Sequence, residues 1–309
     1  MTALFDQAQA LFRDGRTTEA IALVERAAAG GDAEGLFALG NWRLFALHGP
    51  RDLAAAHDAF ARAAAQGHAE AMRTRAYLTA AGLGCDPDPD AARAMLAADP
   101  GAGAQFNLLD APAPIWADEP VCDGPRIAWR RGLFSVAECR YLMDRAEPLL
   151  RPSFVVDPKS GARIPHPVRT SAGMNFGPTH EDLVVAALNR RIAAATDTEA
   201  GWGEPLHILR YAPGQEYRPH LDALTGTTNQ RRWTMLVYLN DDFEGGETAF
   251  PELGIVARGA VGDALLFENT DTKDRPDPRT VHAGRPVTSG VKWLATRWIR
   301  ERRHLPWDA

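Results

Sequence analysis

Arg210-Tyr-Ala-Pro-Gly-Gln-Glu-Tyr-Arg-Pro-His-Leu-Asp222 joins two β-type runs, Leu206–Tyr211 and Tyr217–Asp222, through a turn at Ala212-Pro-Gly. Residues i and i+2 of a strand project from one face, so the His220 imidazole and the Asp222 carboxylate can converge on a single ion. A distant histidine, His282, can complete three facial ligands. Two histidines and one carboxylate that leave coordination positions open suit non-haem iron(II), which must also accept a co-substrate and oxygen.

His-x-acid spacing recurs elsewhere and needs its local geometry to be informative. His180-Glu-Asp182 sits where a helix of about Asp182 to Ala195 begins, with Thr179 as the expected cap and Asp182 at the third helical position. Helical residues two apart diverge by about 200°, so that pair cannot share a metal. His68-Ala-Glu70 is expected inside a repeat helix and fails for the same reason. Only His220 and Asp222 have strand spacing.

Beyond this segment the β-type runs continue as Trp233–Asn240, Thr248–Phe250, Ile255–Ala257, Ala264–Phe267 and Val291–Ile299, with Glu244-Gly-Gly as a turn between them. Many short strands at even spacing predict a jelly roll or sandwich. Ser135-Val-Ala-Glu138 is a capping box that opens a supporting helix running to about Leu150. In the last strand, alternation puts Lys292, Leu294, Thr296 and Trp298 on one face. If that face is inward, Lys292 needs an anionic or hydrogen-bonding partner, and a dicarboxylate in the barrel supplies one; if it is outward, the lysine is solvated.

Upstream the pattern changes. Ala27-Ala-Ala-Gly-Gly-Asp-Ala-Glu-Gly35 returns 36 residues later as Ala63-Ala-Ala-Gln-Gly-His-Ala-Glu-Ala71, and Ala20, Ala56 and Ala92 share that spacing, as do Asp52 and Asp88. Two helices per period of this length mark an α-solenoid, in which each pair buries its apolar face only against its neighbours. Gly82-Leu-Gly84 followed by Asp88 and Ala92 resembles the Sel1-like, tetratricopeptide-type subclass. Asp99-Pro-Gly-Ala-Gly and Ala111-Pro-Ala-Pro then break the helical pattern. The expected organisation is a repeat domain over 1–105, a Pro-rich linker over 106–125, and a second domain over 126–309, an α+β multidomain chain.

Bulk properties set limits. The 309 residues are 45% hydrophobic and 24% charged, enough for two packed cores, and the formal net charge is −6. No basic stripe is present, so nucleic acid is not expected as a partner. No apolar run is long enough to span a bilayer, so no membrane association is expected. Three scattered cysteines form neither a disulfide framework nor a thiolate metal site. The N-terminus carries no signal-peptide pattern, and the expected location is the cytoplasm.

The segment Arg210–Asp222, followed in order by Leu239-Asn-Asp-Asp-Phe-Glu-Gly-Gly-Glu-Thr-Ala-Phe-Pro251, Gly262-Asp-Ala-Leu-Leu-Phe267, Val281-His-Ala-Gly284 and Lys292-Trp293, resembles the prolyl 4-hydroxylase branch of the 2-oxoglutarate- and iron(II)-dependent oxygenases. That resemblance covers about residues 126–300 and implies a double-stranded β-helix. It implies that His220, Asp222 and His282 bind iron(II) and that Lys292 pairs with the distal carboxylate of 2-oxoglutarate. Tyr211 would line the co-substrate pocket, Tyr238 would add a hydroxyl to the same carboxylate, and Trp298 would wall the metal; both tyrosines also read as ordinary half-buried strand aromatics. Gly245 and Gly246 read as turn formers.

The implied activity is hydroxylation of an unactivated C–H bond, with a peptidyl proline as the favoured target, succinate and carbon dioxide as by-products, and L-ascorbate as an auxiliary. A protein substrate docked by the repeats is the expected partner. A free amino acid or other small molecule is the competing substrate. A catalytically inactive interaction scaffold and a cupin-like module holding zinc are the competing functions. Asp157–Phe176, with Arg163 and Arg169, lies where a mobile flap would close over a peptide; a plain surface hairpin fits equally.

Overall fold

The computed structural model describes residues 3–156, 163–165, 168–305 and 307. It comprises two compact units, one formed by Met1–Asn107 with Pro178–Ala186, the other by Leu108–Gly177 with Ala187–Ala309. Among the described residues no helix is long and apolar enough to cross a membrane.

The first unit is an α-solenoid of helices Ala3–Arg13, Thr17–Ala29, Ala33–Phe45, Leu53–Ala64, Ala69–Ala81, Pro89–Met95 and Gly103–Leu109, each of the first five packed on the next. The 36-residue recurrence has a physical origin in helix starts. Asp32 accepts the Gly35 N–H and His68 Nδ1 accepts the Ala71 N–H, while Asp52 and Asp88 accept those of Ala55 and Ala91. The sequence places His68 inside a helix, whereas in the structure it caps the helix Ala69–Ala81 from outside. Ala20, Ala56 and Ala92 are all fully buried, because only small side chains fit where helices meet closely. A methyl group on Gly40 would come within 2.6 Å of the Phe60 ring.

Residues 178–186 complete this unit. Asp182 is buried and caps the helix Leu183–Thr196, accepting the N–H groups of Val184 and Val185 at 3.1 Å each. The cap expected at Thr179 is thus Asp182 itself, and the Thr179 hydroxyl sits instead against His180 Nδ1. Gln105 accepts the Leu183 N–H at 3.1 Å and donates to the Tyr77 hydroxyl. Gln105→Ala leaves a buried N–H unpaired, at a cost of about 1–3 kcal/mol; chemical denaturation should show the helical unit losing that much.

The expected linker over 106–125 is shorter in the structure. Gly103–Leu109 is helical, and Ala117–Asp123 is a strand paired antiparallel with Arg126–Arg131 through a turn at Gly124-Pro125, so the stretch without helix or strand between the two elements is residues 110–116. Ala117–Asp123 is the edge strand of its sheet, the position that tolerates Pro120, and its register slips just after that residue.

The second unit is a jelly roll of two antiparallel sheets. The larger runs, edge to edge, through Ala117–Asp123, Arg126–Arg131, Ala264–Glu268, Arg231–Tyr238, Lys292–Arg300, His207–Tyr211, Ala172–Asn175 and Arg151–Pro152. The smaller runs through Ile255–Ala257, Thr248–Phe250, His282–Gly284 and Tyr217–His220. Their inner faces share one core, to which Trp129, Leu209, Leu236, Tyr238 and Leu294 come from the first sheet and Phe250 and Ala257 from the second. The Ser135/Glu138 capping box is present on the helix Val136–Ala146, and Glu138 also takes a two-pronged ion pair from Arg191 at 2.7 and 2.8 Å.

Of the expected flap, residues 157–162, 166 and 167 lie outside the described residues. The backbone of Phe154–Val156 pairs with Arg163–Pro165, and Ala172–Asn175 is a strand of the large sheet beside His207–Tyr211. The far end of that segment is therefore sheet and not flap.

Candidate metal centre

Sheet register brings the three candidate ligands together. Strands Tyr217–His220 and His282–Gly284 pair so that His282 stands directly opposite His220, their ring centroids 4.3 Å apart. Asp222 follows two residues after His220, just past the strand end. His220 Nε2 lies 3.6 Å from Asp222 Oδ1, and His282 Nε2 lies 3.6 Å from Asp222 Oδ2. These separations exceed a hydrogen bond and suit donors that share one ion. The ligating atoms of all three lie within 4.8 Å of one another, and among the described residues no fourth Cys, His or carboxylate joins them.

The histidines are oriented as ligands. Each turns Nδ1 to a backbone carbonyl, His220 to Arg218 O at 2.8 Å and His282 to Thr280 O at 3.0 Å. A carbonyl only accepts, so each Nδ1 carries the proton and each Nε2 presents its lone pair to Asp222. Burial, and then His282 nearby, push the His220 pKa below the ordinary imidazole range, keeping that ring neutral. Burial alone would raise Asp222, yet its pKa lies below the ordinary carboxylate value, and a hydrogen bond from Thr234 favours the ionised form. Two lone pairs aimed at a buried carboxylate repel it unless a cation lies between. An iron(II) ion fits this donor set of two nitrogens and a carboxylate, with coordination positions left over.

A single cavity is lined by these three residues together with Arg169, Tyr211, Tyr217, Thr248, Lys292, Leu294, Thr296 and Trp298. The strand Lys292–Arg300 supplies four of them at alternate positions, the face that its period predicts. Lys292 is only 2% exposed. Its Nζ donates to Gly246 O at 2.6 Å and lies 5.7 and 5.3 Å from the ring centres of Tyr211 and Tyr238. An ammonium has three N–H donors and this one makes a single hydrogen bond, so two remain for an anion in the cavity. Burial lowers its pKa to about 8, against a partly opposing pull from Glu247. The buried Thr296 hydroxyl on the same face also has no hydrogen-bond partner. A dicarboxylate fits this lining.

Tyr211 lines the cavity as expected. Tyr238 does not: its hydroxyl is 3.1 Å from Thr248 Oγ1 and donates to Ala257 O at 3.2 Å, and its ring supports Lys292 instead. The correction is one of depth, because alternation fixes the face but not how far below the cavity floor a side chain ends. Trp298 borders the cavity with the Arg231 guanidinium 3.9 Å above its ring. Gly245 and Gly246 both have positive φ, +70° and +68°, and Gly246 also contributes the carbonyl that anchors Lys292.

Several residues were not singled out by sequence reasoning. Tyr217 stacks on His220 with centroids 3.5 Å apart, and Arg169, named in the sequence only as part of the expected flap, lies over the Tyr217 ring, 5.5 Å from its centre. Simple alternation places residues three apart on opposite faces. The Tyr217–His220 strand escapes it because two residues there, Arg218 and Pro219, oppose the single Ala283 on its partner, a bulge. Thr234 donates to Asp222 Oδ2 at 2.7 Å, and its place on the Trp233–Asn240 run was the available signal.

Comparison with known proteins agrees with this geometry. Residues 206–300 match the family described as the 2OG-Fe(II) oxygenase superfamily. Prolyl 4-hydroxylase 1 of Arabidopsis thaliana is 40% identical over 205 residues, spanning 60% of this chain and 72% of the relative. A viral collagen prolyl hydroxylase from Paramecium bursaria Chlorella virus-1, solved as its 2-oxoglutarate complex, is 28% identical with a TM-score of 0.46, covering 58% of this chain and 98% of its own. A Sel1 repeat protein from Oxalobacter formigenes is 22% identical with a TM-score of 0.32, over 35% of this chain and 87% of its own.

Proposed function

Because this chain belongs to the prolyl 4-hydroxylase family of 2-oxoglutarate- and iron(II)-dependent dioxygenases, we propose that it hydroxylates a peptidyl proline at the cavity shared by His220, Asp222, His282 and Lys292. The observation that carries the reading is the joint one: three ligand atoms within 4.8 Å of one another, and a buried ammonium opening into the same cavity. An inactive scaffold has no physical need to keep an under-bonded lysine 2% exposed beside a buried ligand set.

His220, Asp222 and His282 would hold iron(II), and Lys292 would bind the distal carboxylate of 2-oxoglutarate, assisted by the Tyr211 side of the cavity. When bound, the metal and co-substrate supply oxidative decarboxylation to succinate and carbon dioxide coupled to C–H hydroxylation. The chain's own residues orient and exclude. Nδ1 contacts fix both imidazole planes, Leu209, Leu236 and Leu294 make the cavity wall apolar, and Trp298 closes it beside the ligands. An apolar wall limits water at the reacting centre and places the target C–H bond. Ascorbate belongs to the same reading as the reductant that keeps the metal ferrous over many turnovers. A cytoplasmic location is supported by three cysteines that are all free thiols.

The helical repeats support a protein substrate, since stacked helix pairs offer an extended surface to a polypeptide. The test is direct. Anaerobic addition of iron(II) and 2-oxoglutarate to the full-length protein should produce a visible charge-transfer band, and admitting air should release succinate. A proline-containing peptide should then gain one oxygen atom by mass spectrometry. Succinate without peptide oxidation, but with oxidation of a free amino acid, would assign the site to a small molecule. Absence of both band and succinate would falsify the enzyme reading.

A further inference from the structure

We propose that Thr234 and Asn269 form a polarised hydrogen-bond relay that presets Asp222 for metal, making both of them positioning residues of this centre. The inference rests on the assignment of His220, Asp222 and His282 as the iron ligands, and it adds what holds the one ligand that lies beyond a strand end.

Thr234 sits mid-strand in the large sheet, opposite Phe267 on one side and Trp298 on the other, and is completely buried. Its hydroxyl is 2.7 Å from Asp222 Oδ2, and Asn269 Nδ2 is 2.9 Å from the same hydroxyl oxygen. An amide NH2 only donates, so the Thr234 oxygen accepts from Asn269 and its single hydrogen is left for Asp222. The opposite amide orientation would claim that hydrogen for Asn269 and turn an oxygen lone pair against an ionised carboxylate. The relay therefore has one sense.

Asn269 makes little else of its side chain. It is fully buried, its Oδ1 has no hydrogen-bond partner, and its one side-chain bond goes to Thr234. Its backbone is fixed at both ends, the N–H donating to Arg232 O and the carbonyl accepting from Asp277. A buried amide whose oxygen has no partner is unfavourable for packing alone, and its single polar contact is aimed at the metal ligand's partner.

The same strand pins the loop that carries Asp222. Gln230 accepts the Leu224 N–H at 2.7 Å and donates to the Leu224 carbonyl at 2.8 Å, and Arg231 reaches the Asp222 carbonyl at 3.4 Å. These contacts place the backbone, whereas the Thr234 bond fixes rotation of the carboxylate itself. That rotation decides whether both oxygens stand 3.6 Å from the two imidazole nitrogens. A ligand already held in place binds metal without losing that freedom on binding.

The test is titration of metal-free full-length protein with cobalt(II), a spectroscopic stand-in for iron(II), following its visible absorption and, separately, thermal unfolding of the metal-free protein. Thr234→Val keeps the shape and removes the hydrogen, and should weaken cobalt(II) binding by on the order of tenfold or more. Thr234→Ser should restore affinity close to wild type. Asn269→Ala, which leaves both atoms of the Thr234–Asp222 contact in place but unorients the hydroxyl, should fall between them, and it decides the matter if Thr234→Val does not fold. A Thr234→Val protein that unfolds earlier yet binds cobalt(II) as wild type does would make the contact structural and overturn the relay. Unchanged affinity in Asn269→Ala would overturn it equally. Wild-type protein that takes up no cobalt(II) would instead overturn the metal assignment on which the relay depends.

Discussion

Asp222→Ala is expected to weaken iron(II) binding by at least about 100-fold, beyond the range usual for residues that merely support a ligand, and to abolish both the anaerobic charge-transfer band and succinate release. Among the described residues the carboxylate is the only anion at the two Nε2 lone pairs, its oxygens 3.6 Å from them. Without it the remaining donors are two neutral imidazoles, which hold a hard ferrous ion poorly. His220→Ala and His282→Ala should behave alike, since their rings face each other across a centroid separation of 4.3 Å. Leu221→Ala is the internal control. Leu221 lies between two ligands in sequence but is 36% exposed, and its replacement should leave metal affinity and the band unchanged. Isothermal titration under anaerobic conditions reads the affinities. If Asp222→Ala kept the band, the three side chains would be a structural cluster rather than a metal site.

How much of this site could be read from the chain depended on the period of each element. Strand alternation carried Lys292, Leu294, Thr296 and Trp298 to one face correctly, because Lys292–Arg300 is a long and regular strand. The repeat was legible through its helix caps, which recur because each helix start needs a side-chain acceptor at the same offset. Short elements were not. His282–Gly284 is only three residues long, too little to show a period, and its histidine was found by motif and not by pattern. Ala117–Asp123 hid as a linker because an exposed edge strand with a proline and three acids has no apolar alternation to display. Tyr217 was missed because a bulge breaks the rule that would otherwise turn it away from His220. Asn269 stands outside any regular element, at the end of Ala264–Glu268, where its burial is set by tertiary contacts alone. Tyr238 marks the other limit: the sequence gives a face, and only packing decides that its hydroxyl is spent on Thr248 and Ala257.

Lys292 links co-substrate affinity to stability in opposite directions, which makes Lys292→Met more informative than a simple loss of function. Losing the ammonium should raise the 2-oxoglutarate requirement on the order of 100-fold, the scale expected when one partner of a buried charge pair is removed. Iron(II) affinity should change little, because Lys292 Nζ bonds to Gly246 and touches none of the three ligands among its contacts. Burial depresses the folded-state pKa from 10.5 to about 8. Between those two values the unfolded chain holds a proton that the folded chain has lost, so this lysine's contribution to stability improves as pH rises from 8 towards 10.5. Below pH 8 the penalty is present in full, roughly 3 kcal/mol at 1.36 kcal/mol per pKa unit. At pH 7, then, Lys292→Met should make the protein without co-substrate more stable, by up to about that amount, and the gain should shrink as pH approaches 10.5. A bound dicarboxylate favours the ammonium and reverses the balance. Addition of 2-oxoglutarate to metal-loaded protein should therefore raise the unfolding temperature of the wild type and leave that of metal-loaded Lys292→Met nearly unmoved. Wild-type affinity for 2-oxoglutarate should also fall above pH 8, by up to about tenfold per pH unit, because binding must then take up a proton. Thermal unfolding across that pH range, with and without co-substrate, reads both signs. Equal loss of iron(II) and 2-oxoglutarate binding, or a variant less stable than wild type at pH 7, would make Lys292 a strut of the barrel and not its anion site.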